Sequence, residues 1–369
     1  MVTYFIHFVN ISGKYIFPRG SIFLKNFYKI YPKTDILWYN YYVNIQTKPF
    51  FSRGDFFIMI FACVLIILSI LVSAYFVTSY FLFDTFTKRV KKCDFEDMDC
   101  VYLKRLGTYD DAVENGKKWL CEQNFEEVSI QSDDGLTLCG HFLYTPSSKG
   151  TIIFFHGYKS NPINDFLCSL PFYRSLGYNI LLVDQRAHGN SGGKYITFGV
   201  CERYDCKKWC EYVYTRFGDG KEIVLGGISM GASTVLMASG LELPPTVTKI
   251  VADCGFTSPY EIMSHVSKAR FHFPPFVFVP TINLFCKAFA KYSLKEYSSY
   301  DALEQNRVPV LFIHGKADWF VPPEMSQNNY NVCVSKKKIV FFDGASHGMS
   351  FFADTEKYKK TVSDFLAGN

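Results

Sequence analysis

The positions of apolar residues divide the chain into three regions. Residues 1–55 show neither a helical nor an alternating period. Phe56–Phe83 is a run of 28 residues without a charged side chain, and it lies between Asp55 and Asp84. From about residue 125 onward, short apolar runs alternate with stretches of helical character. The three regions therefore predict three different kinds of structure.

The charge-free run predicts a transmembrane helix over residues 56–83. Such a helix would be about 42 Å long, whereas the hydrocarbon core of a bilayer is about 30 Å thick. Four Lys and Arg residues occur in 84–92, against two in the 20 residues before Asp55. By the positive-inside rule, this difference favours, by a small margin, a single-pass protein with its C-terminal part in the cytoplasm.

The later region predicts one α/β domain. Two alternating runs, Glu127–Ile130 and Leu136–Tyr144, flank an Asp-Asp-Gly turn and predict an antiparallel pair. Beyond Gly150, six short apolar runs alternate with helical stretches, which is typical of a mostly parallel sheet with helices on both faces. The six predicted strands are Thr151–Phe155, Tyr178–Val183, Ile223–Leu225, Lys249–Ala252, Val308–Ile313 and Lys338–Phe342.

These patterns predict four parts in the chain. Residues 1–55 form an N-terminal segment of uncertain status, because the apolar run comes too late for a secretory signal. One interpretation is a translated upstream region, with the true start near Met59. The transmembrane helix follows, then a linker and helix over 84–124, and then the α/β domain over 125–369.

Charge and cysteine content restrict the kinds of partner and ligand that the protein is expected to bind. Residues 1–92 hold 11 Lys and Arg against 3 Asp and Glu, and the remainder holds 28 against 31. The basic excess flanks the apolar run, so it indicates a lipid bilayer as partner and no nucleic acid. The 12 cysteines are scattered without zinc-site spacing. We expect free thiols and no metal.

The segment Gly227–Gly231, Gly-Ile-Ser-Met-Gly, is a candidate nucleophile motif. It follows a predicted strand and opens a helical stretch, and its glycines permit a strained turn that exposes the Ser229 hydroxyl. A His-Gly-Tyr turn follows the strand that ends at Phe155. Backbone N–H groups of Tyr158 and Met230 would then form an oxyanion hole.

Asp318 and His347 are the candidate acid and base. Each lies just beyond a predicted strand, where catalytic groups collect in open α/β sheets. The chain order Ser229, Asp318, His347 is the order expected for a serine hydrolase of this fold. Asp253, after the strand Lys249–Ala252, is an alternative acid. His188, in the loop after another strand, is expected to have a structural role.

Five segments together resemble the α/β-hydrolase superfamily, and the resemblance covers about residues 105–367. The nearest branch contains serine aminopeptidase-like and monoacylglycerol-lipase-like hydrolases, including membrane-tethered bacterial members. The resemblance implies the α/β-hydrolase fold, the triad named above and no cofactor. Ala187 departs from it, since the family often has glycine there. The segments are His156-Gly157, Asp184–Gly193, Gly227–Gly231, His314–Asp318 and Ser346–Gly348.

The superfamily also inserts a cap over its active site, which we expect at about 256–298. Phe271–Pro280 reads FHFPPFVFVP. Aromatic residues interleaved with prolines fit a lid or an acyl-binding wall, and packing onto the main sheet is the alternative.

The sequence predicts a membrane-anchored serine hydrolase that cleaves a small acyl ester. A serine peptidase acting on short peptides is an alternative, because the resembling branch holds esterases, lipases, peptidases and thioesterases. A non-catalytic, membrane-anchored binding protein is an alternative of another class. Every candidate catalytic residue lies beyond Gly150, so the apolar segment is expected to supply location and no chemistry.

Overall fold

The computed structural model describes residues 53–89 and 109–368. The chain divides into two units between Ser73 and Ala74, a point within the first described helix. The predicted N-terminal segment up to residue 52 and most of the predicted linker lie outside the described residues.

Helix α1 covers Arg53–Thr87 and contains the whole of the charge-free run. Among the described helices, it is the one long and apolar enough to cross a membrane. No side chain in its most apolar stretch is buried. The buried residues Ser79, Phe83 and Thr87 lie four apart in its last turns. One face of the helix end is therefore packed against protein.

Eight strands form one sheet in the order β1-β2-β4-β3-β5-β6-β7-β8. Strand β2 pairs antiparallel with β1 and β4, and all other neighbours are parallel. The predicted α/β-hydrolase fold class is confirmed. The strands are β1 Glu126–Gln131, β2 Thr137–Leu143, β3 Gly150–Phe155, β4 Tyr178–Val183, β5 Glu222–Ile228, β6 Val247–Asp253, β7 Val310–Gly315 and β8 Lys337–Phe342.

Helices cover both faces of this sheet. Ile152 and Phe154 of β3 belong to one buried cluster, whereas Ile153 and Phe155 belong to another. Alternate strand residues point to opposite faces, so each face has its own core. The helices are α2 Asp110–Cys121, α3 Pro162–Phe166, α4 Leu170–Ser175, α5 Glu202–Phe217, α6 Met230–Ala238, α7 Pro259–Phe271, α8 Pro275–Phe285, α9 Ser299–Leu303, α10 Pro323–Val332, α11 Ser350–Ala353 and α12 Thr355–Ala367.

Strand β5 is longer than the sequence predicts, because its glycines do not end it. The prediction placed its end at Leu225, but the strand continues to Ile228. A Cβ atom added at Gly226 would lie 2.9 Å from the Phe154 ring. One added at Gly227 would lie 2.4 Å from the backbone of Gly231. These glycines permit close packing inside the sheet.

A third buried cluster joins the predicted cap region to the end of α1. The cap region contains α7, α8 and a π-helical turn, Cys286–Ala290. Phe83 of α1 is fully buried there with Ile282 of α8 and Ile196 of the loop after β4. The last turns of α1 thus share a hydrophobic core with the cap.

Candidate active site

Ser229 occupies a strained turn between β5 and α6. Its backbone has φ 54° and ψ −116°, a region that non-glycine residues rarely adopt. The neighbouring Gly231 is required sterically, because a Cβ atom there would lie 1.8 Å from the carbonyl oxygen of Phe155. The Ser229 N–H donates a hydrogen bond to the carbonyl of Asp253 at 2.8 Å, which ties the turn to β6. The turn therefore aims the serine out of the sheet.

The structure brings Ser229, His347 and Asp318 into one hydrogen-bonded chain. His347 Nε2 lies 2.9 Å from Ser229 Oγ, and its Nδ1 lies 2.6 Å from Asp318 Oδ2. Asp318 follows β7 and His347 follows β8, so both come from carboxyl ends of adjacent parallel strands. This is the geometry in which an imidazole accepts the serine proton while a carboxylate fixes its tautomer.

The Asp318 carboxylate is held in its ionised state. Burial by itself raises its pKa, but hydrogen bonds from His314 and His347 lower the pKa to about 2. Its Oδ1 also accepts hydrogen bonds from the backbone N–H groups of Phe320 at 3.0 Å and Val321 at 2.9 Å. His314 contacts Oδ2 at 3.2 Å. The sequence analysis assigned no such role to His314.

The alternative acid, Asp253, lies in a different environment. It is buried at the end of β6 and accepts a hydrogen bond from Ser350 Oγ at 3.0 Å. Burial raises its pKa to about 6. Asp318, and not Asp253, lies within hydrogen-bond distance of His347.

The turn after β3, residues 156–160, lies against the serine and is held by Asp165. A Cβ atom at Gly157 would lie 3.4 Å from Ser229 Cβ. Asp165 Oδ2 accepts from the Gly157 N–H, and Oδ1 accepts from the Ser160 hydroxyl, both at 2.6 Å. No sequence signal singled out Asp165.

His188 holds the same turn from the other side. Its Nε2 accepts a hydrogen bond from the Lys159 N–H at 3.2 Å, and its Nδ1 lies 2.9 Å from the Arg186 carbonyl. Burial lowers its pKa well below the usual value, so the ring stays neutral. This is a structural role, as the sequence analysis expected. The nearby Ala187 has φ 60°, a conformation that favours glycine.

The predicted oxyanion donors, Tyr158 and Met230, occupy suitable positions. Tyr158 lies in the turn beside Ser229, and Met230 is the first residue of α6. Within the described part of the chain, neither backbone N–H donates to a protein acceptor. Free N–H groups beside a nucleophile are available to a developing oxyanion.

An apolar cavity of about 190 Å³ extends from Ser229 beneath the cap. Within residues 53–89 and 109–368, Arg270 is the one charged residue on its lining, and it is exposed. The other lining residues are mostly aromatic and aliphatic, and they come from the cap, from the loops around the serine and from the end of α1. They are Leu82, Phe86, Tyr158, Phe198, Phe256, Ile262, Met263, Val266, Ser267, Phe271, Phe273, Phe278, Val279, Ile282, Phe320 and Val321.

Cys254 is the one further group that gives the site any metal-binding character. Ligand atoms of Cys254, Asp318 and His347 lie within 4.8 Å of one another. Burial raises the pKa of the Cys254 thiol well above its usual value, and the thiolate is the form that binds metal. Asp318 Oδ2 already contacts two imidazoles. The arrangement suits proton transfer between side chains better than metal coordination.

Comparison with known proteins identifies the class. A solved esterase from Pyrococcus furiosus matches with a TM-score of 0.58 and 22% identity, covering 76% of this chain and 98% of its own. The protein YqkD of Bacillus subtilis, itself uncharacterized, is 29% identical over 249 residues, 66% of this chain and 81% of its own. Protein bem46 of Schizosaccharomyces pombe is 26% identical over 252 residues, 66% of this chain and 77% of its own. The fold and these similarities define an α/β hydrolase.

The family follows from a match between the domain and a family model. The model of the prolyl oligopeptidase family matches residues 165–369, which is more than half of the chain. This protein belongs to that family. The resemblance to the α/β-hydrolase superfamily, stated from the motifs above, is confirmed.

Proposed function

We propose that this α/β hydrolase is a membrane-anchored serine hydrolase that cleaves esters with an apolar acyl chain. The observation that carries the proposal is the apolar cavity that opens onto Ser229. A hydrocarbon chain gains about 0.8 kcal/mol for each methylene group that it buries in such a cavity. An ester carbonyl at Ser229 would then place its chain beneath the cap.

The proposed mechanism uses the three hydrogen-bonded residues in turn. His347 accepts the Ser229 proton through Nε2, and the serine oxygen attacks the ester carbonyl. The N–H groups of Tyr158 and Met230 stabilise the resulting oxyanion. His347 then protonates the leaving alcohol. Water, deprotonated by His347, attacks the acyl-enzyme carbonyl, and His347 returns that proton to Ser229 Oγ as the acyl group leaves, while ionised Asp318 holds the imidazolium in place.

A short-peptide substrate is the second candidate, and the family match supports it, because the prolyl oligopeptidase family includes peptidases by name. The cavity lining argues against an aminopeptidase. Among the residues that the structure describes, no carboxylate lines the cavity to pair with a peptide ammonium group. The third candidate, a binding protein without catalysis, leaves the contacts of His347 with Ser229 and Asp318 without a purpose.

Labelling by a fluorophosphonate probe tests the proposal in the full-length protein. We expect the wild type to be labelled and Ser229→Ala to remain unlabelled. A panel of p-nitrophenyl esters from acetate to palmitate, compared with aminoacyl p-nitroanilides, then separates the two enzyme candidates. Absence of labelling would favour the binding protein, and preference for the anilides would favour the peptidase.

A further inference from the structure

We infer that the last turns of helix α1 are part of the active site. They select the apolar chain of the substrate, and they position residues 156–160, the oxyanion turn that carries Tyr158. This inference rests on the proposed function and deepens it. It departs from the expectation that the apolar segment supplies location alone. Leu82, which lies within the charge-free run, and Phe86 line the same cavity as Ser229.

The end of α1 forms part of the cavity wall. Leu82 and Phe86 are one helical turn apart, so they face the same side of α1. Both are partly buried, and Phe86 packs edge-on against Phe271 of the cap with ring centroids 5.9 Å apart. Because the two side chains are neither fully packed nor turned to solvent, they present apolar surface to whatever fills the cavity.

The last turn of α1 is also hydrogen-bonded to the oxyanion turn. The Tyr158 hydroxyl donates a hydrogen bond to the Phe86 carbonyl at 2.8 Å, and Lys159 Nζ donates to the Thr85 carbonyl at 2.6 Å. Carbonyl groups in the last turn of a helix lack partners within the helix. The end of α1 therefore uses its free acceptors to hold the two residues that follow Gly157.

Contacts on either side of Leu82 and Phe86 hold this part of α1 in place. About two turns of α1 upstream of Leu82, the Tyr75 hydroxyl donates to the Val277 carbonyl at 2.6 Å, and its ring stacks on Phe278. Downstream, the Thr87 carbonyl accepts from the Ile196 N–H at 2.6 Å, and the Arg89 guanidinium donates to the Gly189 carbonyl at 2.6 Å. The segment between these contacts is fixed on both sides, so Leu82 and Phe86 form a firm boundary.

These contacts predict a limit on the length of the substrate's acyl chain. When the ester carbonyl lies at Ser229 Oγ, the acyl chain extends beneath the cap until it meets Leu82 and Phe86. Enlarging Leu82 should therefore shorten the preferred chain, and truncating it should lengthen the preferred chain. Opposite effects at one position are expected of a wall and not of general destabilisation.

Leu82→Trp and Leu82→Ala in the full-length protein in detergent test the wall. For Leu82→Trp, we expect kcat/KM for decanoate relative to acetate to fall by about tenfold or more, since one misplaced methylene already costs that much in an apolar pocket. Leu82→Ala should move the optimum to longer esters. The neighbouring Phe81 is exposed and off the cavity, so Phe81→Trp and Phe81→Ala serve as matched controls.

Tyr158→Phe tests the positioning of the oxyanion turn. The variant keeps the ring and the backbone N–H and removes only the hydrogen bond to Phe86. We expect kcat to fall by about tenfold with little change in KM, because the oxyanion forms after the substrate is bound. A lowered melting temperature with unchanged kcat would show that the bond is merely structural, and would overturn this part of the inference.

The two levels of the proposal fail differently. If the wild type neither reacts with a fluorophosphonate nor hydrolyses any ester, the proposed function is wrong. If the wild type hydrolyses esters but both Leu82 variants, each still labelled at Ser229, keep the wild-type chain-length profile, the assignment of α1 to the active site is wrong. A profile that shifts equally in the Phe81 controls would also overturn it.

Discussion

The Asp165 carboxyl accepts a hydrogen bond of 2.6 Å from the backbone N–H of Gly157, one residue before the proposed oxyanion donor Tyr158. The same carboxyl holds the Ser160 hydroxyl, so it sets both ends of the turn. Desolvation of this carboxyl raises its pKa, and the hydrogen bonds from Gly157 and Ser160 lower it. A group in that position controls where the Tyr158 N–H points without touching the substrate.

Asp165→Ala is therefore expected to lower kcat by up to about 100-fold, because a small displacement of catalytic groups is enough to do so. KM and the chain-length profile should change little. Steady-state kinetics on one short and one long ester would measure this. Wild-type kcat in a folded Asp165→Ala protein would show that the turn keeps its position without the carboxyl.

The proposed triad predicts strongly non-additive effects. Ser229→Ala or His347→Ala should each lower kcat by about 10⁴ to 10⁶, and the double variant should be scarcely slower, because the groups act as a unit. Single-turnover and steady-state assays on the preferred ester would compare the three proteins. Near-normal turnover by Ser229→Ala would remove the serine from the mechanism.

The two acids should rank clearly. Asp318→Asn is expected to lower kcat by about 10⁴, because the amide no longer imposes the required tautomer on His347. Asp253→Asn should be mild, since Asp253 bonds to Ser350 and not to the imidazole. Parallel kinetics on both variants, with melting temperatures as a fold control, would decide. The reverse ranking would transfer the role of the acid to β6.

Asp253 also predicts a pH dependence of stability. Its pKa is raised from about 3.9 in an unfolded chain to about 6 in the fold. The folded state then binds the proton more tightly, so the contribution of Asp253 to the free energy of unfolding falls as pH rises from about 4 to about 6. The change is on the order of 3 kcal/mol.

Asp253→Asn should remove that component, because an amide does not titrate. Urea unfolding at several pH values would compare the slopes of the two proteins. If the variant keeps the wild-type slope between those pH values, another group causes the dependence.

The anchor predicts retention on membranes after a high-salt wash. A spanning helix is held by apolar burial, which salt does not screen. Attachment through the basic residues after α1 alone would be released by salt. Fractionation of the full-length protein, with a carbonate wash beside the salt wash, would measure this. Release by salt would contradict a spanning α1.

Strand positions and the site geometry followed from local sequence signals. Ser229, Asp318 and His347 each stand next to an apolar run bounded by glycines or polar residues, and the order of the sheet brings such positions to one edge. The ends of strands were harder. Gly226 and Gly227 have the composition of a stop, yet they continue β5, because neighbouring strands and α6 need the space of a side chain there.

Hydrogen-bond partners that the fold brings together from other segments could not be predicted from the sequence alone. Nothing near Asp165 shows that its carboxyl reaches back eight residues to Gly157. For the end of α1, a weak signal existed. Ser79 and Thr87 are polar residues in register with Phe83, and all three are buried. A helix that only met lipid would have no reason to place hydroxyl groups on one stripe.

The backbone conformation of Ser229 carries a wider consequence. A residue held in such a region costs about 1 to 3 kcal/mol, which the rest of the fold must offset. Glycine would adopt the same φ without that cost, and it would also abolish the nucleophile. Chemistry and stability therefore oppose each other at this one position, and thermodynamics alone would drive the sequence toward an inert protein. Under the proposed function, only the need for turnover would favour serine over glycine at position 229.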